Sequence, residues 1–122
     1  MSFLMTYGAP LFKGTSQTVG IQTKTVSSFA IGINSVVNLI VYFTAANTAY
    51  TLARSGYLVG TAIRAAGNVV LQGIPILDAI GSLTTTIALA ANTGTQSIDV
   101  NVTGVAATTV NWSCVGYPMV TN

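Results

Sequence analysis

Two carboxylates, Asp78 and Asp99, are the only acidic side chains of this chain, and it has neither a histidine nor a glutamate to work beside them. A pair of aspartates could share a proton in general acid–base catalysis, or bind a hard cation through oxygen. Here the sequence does not bring them together: Asp99 falls in the middle of an alternating run, and Asp78 lies in a glycine-bounded stretch. Each is expected to meet solvent or a Lys or Arg. The many serines and threonines have no base to activate them. The single cysteine, Cys114, cannot form an internal disulfide and reads as a small core residue. Metal centres need several Cys, His or carboxylate donors, and no phosphate-cradling glycine loop is present. Asn101-Val102-Thr103 and Asn111-Trp112-Ser113 match the glycosylation pattern but lie inside apparent strands, as chance matches. The expectation is a protein without enzymatic activity, cofactor or metal, whose function lies in its surfaces.

The elements carrying these residues are strands. Residues 95–117 hold two alternating runs: Ile98, Val100 and Val102 oppose Asp99, Asn101 and Thr103, while Val110, Trp112 and Cys114 oppose Asn111 and Ser113. A period of two gives a strand one wet side and one dry side. The link 103–108 is too short for a parallel crossover, so a hairpin is predicted, with the only tryptophan in half of a sandwich core.

Composition narrows the surroundings. The 122 residues suit one domain. Hydrophobic residues make up 51% and charged residues 5%, against roughly 25% charged in an ordinary soluble domain. A surface so poor in charge belongs in lipid or against other protein. The best apolar run, residues 36–46, is about half the ~20 residues of a spanning helix. Glycines and Pro75 break the later segments, which argues against a helical membrane protein, and a membrane barrel needs at least ~8 strands of ~10 residues. No secretory leader is legible in residues 1–5. A net charge of +2 leaves no nucleic-acid footprint.

In chain order, residues 1–18 have no sustained period and form an extended N-terminal arm, rich in Phe3, Leu4, Met5, Tyr7, Leu11 and Phe12. So apolar an arm is expected to lie against a neighbouring subunit or the body of the domain. Residues 19–122 form the single domain. One or two strands are predicted over 19–33, with a turn at Asn34-Ser35. Residues 36–44 are apolar on both faces, as in a central strand that something covers. A loop follows at 45–48, a weak strand at 49–53, and a turn at Ser55-Gly56. Residues 57–64 and 69–72 are paired through a turn at 65–68, where Gly67 and Asn68 tolerate positive φ. Residues 73–81 read as an apolar loop, whose Ile74, Ile76 and Leu77 suggest a contacted surface. A strand over 84–91 precedes the final pair. About eight strands without a helix predict an all-β, antiparallel β-sandwich. Tyr7, Tyr42, Tyr50, Tyr57 and Tyr117 are scattered and are assigned to packing.

The segment Val100-Asn101-Val102-Thr103-Gly104-Val105-Ala106-Ala107-Thr108-Thr109-Val110-Asn111-Trp112 resembles a closing motif that recurs in small β-sandwich modules of tailed-bacteriophage structural proteins. The upstream pair 57–61 and 68–73 looks similar too, so the resemblance spans about residues 57–117. It implies a jelly-roll-like sandwich and a virion location. An apolar arm on a small sandwich would suit a capsid cement or decoration protein that stabilises the head lattice. Its expected partners are the major capsid protein or other virion proteins and further copies of itself, as a dimer or trimer, with neither nucleic acid nor membrane. The interface residues expected are Phe3, Leu4, Tyr7, Leu11 and Phe12 in the arm and Ile74, Ile76 and Leu77 beyond it. A tail or fibre component is the alternative within virions, and a carbohydrate-binding receptor module is the alternative outside that role.

Overall fold

A computed structural model describes residues 5–7 and 12–122. The strands are β1 (Met5–Tyr7), β2 (Phe12–Val19), β3 (Thr23–Ala30), β4 (Ser35–Asn47), β5 (Ala53–Arg64), β6 (Val70–Gly81), β7 (Thr86–Asn92), β8 (Ser97–Thr103) and β9 (Thr109–Thr121). They form an antiparallel β-sandwich, with no helix among the described residues. The large sheet runs β1-β9-β4-β5-β6, with β2 also pairing β9; the small sheet runs β3-β8-β7. β1 pairs the end of β9 from 119 to 121 and β2 pairs it from 109 to 116, so the two share one edge position. The large sheet is therefore five strand positions wide, with β4 in the middle.

Alternation decides which side of each strand enters the core. In β4, Val37, Leu39, Val41, Phe43 and Ala45 are buried. Leu58 and Ala62 of β5 and Val110, Trp112 and Cys114 of β9 share that side. Ile98, Val100 and Val102 of β8, with Ile87 and Leu89 of β7, close on them from the small sheet. Each fully buried Val, Leu or Ile contributes about 1.5–3 kcal/mol, and no disulfide is needed. The tryptophan ring packs against Phe43 with centroids 6.3 Å apart, and its indole N–H donates to the buried Thr18 hydroxyl at 3.0 Å.

The alternating faces of β8 and β9 are as expected, but the two strands do not form a hairpin. β8 pairs β3 and β7, whereas β9 pairs β2 and β4 in the other sheet. The link between them is a corner that carries the chain across the sandwich. It runs beside a second corner, from β2 to β3. Gly20 N–H donates to the Thr108 carbonyl at 3.0 Å, and Gly104 N–H to the Gln22 carbonyl at 3.1 Å. A Cβ on Gly104 would meet Gly20 O and Thr18 Oγ1, each at 2.5 Å, so the corners approach as closely as a bare backbone allows.

Other expectations are corrected. The loop predicted at 73–81 is the outer part of β6, paired with β5 from Ile76 opposite Val59 to Gly81 opposite Arg54. A bulge opposite Gly60 absorbs Gly73 (φ 75°) and Pro75, the residues that read as loop punctuation. Ser55 and Gly56 lie within β5, and residues 45–47 continue β4. The turn is at 48–52 instead, where the Asn47 side chain accepts from Thr51 and Leu52 N–H. The 65–68 turn is present, although positive φ occurs at neither Gly67 nor Asn68. Residues 12–18 of the expected arm are a strand of the body. There the Phe12 ring covers Gly116, its partner across the ladder, and lies 5.4 Å from the Phe29 ring.

Candidate interaction surface

The outward sides of the two sheets differ in chemistry. On the small sheet, cross-strand pairs are polar and bonded to one another: Thr23 with Thr103 at 2.8 Å, Thr25 to Asn101 at 2.7 Å, and Ser28 to Asp99 at 2.6 Å. Asp99 also accepts from Asn92 at 3.0 Å and Ser97 at 3.1 Å. Asp99 is half-buried beside solvent, and its protein partners are thus hydroxyls and an amide rather than a Lys or Arg. Asp78 lies on the other sheet, so the two carboxylates are not assembled.

The large sheet's outward face carries an apolar and aromatic band. Register places Tyr117, Ile40, Val59 and Ile76 in one row across β9, β4, β5 and β6. The next row is Val115, Tyr42, Tyr57 and Asp78, and β2 adds Lys13 at its end. A mainly polar row, Met119, Asn38, Thr61 and Gln72, bounds one side of the band; Ser113, Thr44 and Ser55 bound the other, with Ile80 at the β6 end. Tyr42 is 51% exposed and sits between two further rings, 6.2 Å from Tyr57 and 5.9 Å from Tyr117. The Tyr57 hydroxyl donates to Asp78 Oδ2 at 3.3 Å. The negative carboxylate, then that hydrogen bond, push the Tyr57 phenol above its ordinary value, so it stays a neutral donor.

The far edge of this sheet is β6, which pairs β5 on one side only. It is long and apolar: Ile74 is 94% exposed, Ile80 76%, Ile76 65% and Leu77 40%. Ile76 and Ile80 point outward with the band, Leu77 lies on the inward side next to Leu58, and Ile74 stands on the bulge. An edge of this kind offers unpaired backbone groups and apolar side chains together, and only Asp78 interrupts it with charge. Of the expected arm residues, Phe3, Leu4 and Leu11 lie outside the described residues, and β1 places Tyr7 opposite Met119. Phe12 is half-buried in the domain's own packing.

The sequence reading missed the tyrosine cluster and its row neighbours Ile40 and Val59. Residues 36–44 carry the apolar second side expected of them, and among the described residues it is uncovered. A signal was present in the matched alternation of Ile40 and Tyr42, Tyr57 and Val59, and Val115 and Tyr117, but only register shows that these meet. Two of the four cations serve the backbone: Arg64 donates to the Ile31 and Gly67 carbonyls at 2.9 Å, and Arg54 to the Thr85 carbonyl. Burial raises the Cys114 thiol above its ordinary value, partly offset by a hydrogen bond from the Gly14 backbone. Among the described residues no His, Cys, Asp and Glu cluster could hold a metal, and no helix is long and apolar enough to cross a membrane.

Fold and surface together define an all-β scaffold with one solvated face and one apolar face. Over 89% of its length it is similar to the tailspike protein of Acinetobacter baumannii phage AM24, at 8% identity and a TM-score of 0.45, and it spans 26% of that chain. No family model matches the sequence, and no curated protein does.

Proposed function

We propose that the chain is a structural protein of a bacteriophage particle, and within that class a capsid cement or decoration protein. The observation carrying this reading is the contrast between its outward faces. The small sheet's polar groups are bonded among themselves beside solvent, whereas the large sheet and the β6 edge expose an apolar surface suited to contact with protein. The closing motif at residues 100–112 supports the virion context. A protein that binds only the assembled lattice shifts its equilibrium away from disassembly, and several modest contacts act together through multivalency. The β6 edge could take a strand from a neighbouring capsid subunit by extending the sheet. The test is binding of the purified chain to emptied phage heads. Saturable binding that raises head melting supports the cement reading; a chain indifferent to heads but incorporated into tails supports the tail or fibre alternative.

Tyr42, Tyr57 and Tyr117 beside Asp78 favour one second reading, a carbohydrate-binding module. Aromatic faces take the apolar side of a sugar ring while a carboxylate accepts from its hydroxyls. Glycan-array binding that Tyr42→Ala abolishes would favour it; a blank array with retained head binding would remove it.

A further inference from the structure

We propose that the apolar face of the large sheet is the interface of a symmetric dimer, with a second copy of this chain packed on it face to face. The first argument is charge. Asp78 and Lys13 are the charged residues that the described register places on this outward face, and they stand at opposite ends of one row: Lys13, Val115, Tyr42, Tyr57, Asp78. β4, which carries Tyr42, is the middle of the five strand positions. A two-fold axis running along β4, between the two sheets, turns one copy over the other and exchanges the two edges. It lays β2 of each copy over β6 of its partner. Lys13 of each copy then faces Asp78 of the other, making two equivalent ion pairs with the Tyr42 rings meeting near the axis.

The second argument is area. Five strand positions spaced ~4.8 Å apart, over about nine residues of ~3.3 Å rise, make a face of roughly 700 Å². A standard stable interface takes about 800 Å² from each partner. Facing sheets pack about 10 Å apart, within reach of a Lys stem meeting an Asp. Two copies related by this axis twist in the same sense, so their saddle-shaped faces stack without opening at the corners. An isologous contact of this kind closes on itself and leaves the β6 edges available at the rim.

This inference is independent of the capsid reading, because the dimer forms without heads. Its test is sedimentation equilibrium of the full chain with charge-reversal variants, the Trp112 emission of each confirming that it is folded. The wild type is expected to be a dimer at micromolar concentration, and more dissociated at high salt. Lys13→Asp alone and Asp78→Lys alone each oppose like charges twice and weaken the dimer at least ten-fold, while the two together restore it. A wild type that is monomeric at millimolar concentration overturns the inference. So does a dimer in which the double variant is no tighter than the weaker single variant. Head binding by a monomer would sink the dimer and leave the cement reading standing; a charge-coupled dimer indifferent to heads would do the reverse.

Discussion

Thr18 and Thr85 are both buried threonines, and the same substitution is expected to act on them with opposite sign. Thr18 is fully enclosed and its hydroxyl accepts the Trp112 indole N–H at 3.0 Å. Thr18→Val keeps the shape but strands a buried donor, at a cost of about 1–3 kcal/mol, partly offset by the apolar methyl. The net expectation is a loss of about 1–2 kcal/mol. The Thr85 hydroxyl is equally enclosed and has no hydrogen-bond partner among the described residues. Thr85→Val removes a desolvated hydroxyl rather than a bond, and should be neutral or stabilising by up to ~1 kcal/mol. For 122 residues the unfolding entropy is about 0.25 kcal/mol/K, so Thr18→Val lowers Tm by roughly 4–8 °C. Urea and thermal unfolding followed through the single tryptophan measure both variants, with Thr18→Ser, which retains the hydroxyl, as the control. A Thr18→Val protein as stable as wild type would refute the assignment of that hydrogen bond.

Other outcomes follow from the same geometry. Gly116→Ala drives a Cβ into the Phe12 ring and should cost about 1–3 kcal/mol; Phe12→Ala in the same chain should recover part of it, read as coupling in a double-mutant cycle. Ile74→Lys, at a side chain 94% exposed, should leave unfolding within about 0.5 kcal/mol yet slow aggregation measured by light scattering. Because Asp78 raises the Tyr57 pKa, the folded state holds that proton more tightly than the unfolded chain. Its contribution is present below pH ~10 and is lost as pH rises through the higher folded value; Asp78→Asn should shift one tyrosine of the ultraviolet titration downward. Cys114 should resist a thiol reagent at pH 8 until urea unfolds the chain, because burial disfavours its thiolate.

The sides of the strands were legible in the sequence more fully than their partners. Ile98, Val100 and Val102, and Val110, Trp112 and Cys114, face the core as their alternation requires. Alternation assigns a face but not a neighbour, so a corner between sheets was indistinguishable from a hairpin. The 73–81 stretch reads as a loop because Gly73, Pro75 and Gly81 punctuate it; a bulge on the edge strand takes up Gly73 and Pro75, and Gly81 ends the strand opposite Arg54. Ile74, Ile76 and Leu77 stood out by apolar character alone. Tyr42, Tyr57 and Tyr117 did not, because they are far apart in sequence and adjacent only across strand register. The polar ladder of the small sheet was equally hidden until β3 and β8 were aligned.

The place of β9 bears on synthesis. It is the last strand of the sandwich, yet it lies between β4 and the β1–β2 edge and supplies Trp112 to the core. On a ribosome, β4, β5 and β6 can emerge and pair as a meander while one flank of β4 waits for its neighbour. β1 and β2 wait as well, since their partner in the large sheet is β9. The nascent chain therefore holds both flanking segments apart until β9 clears the exit tunnel. Closure is then a single late event that joins the two ends of the domain, and Trp112 emission should change at that moment rather than gradually during elongation.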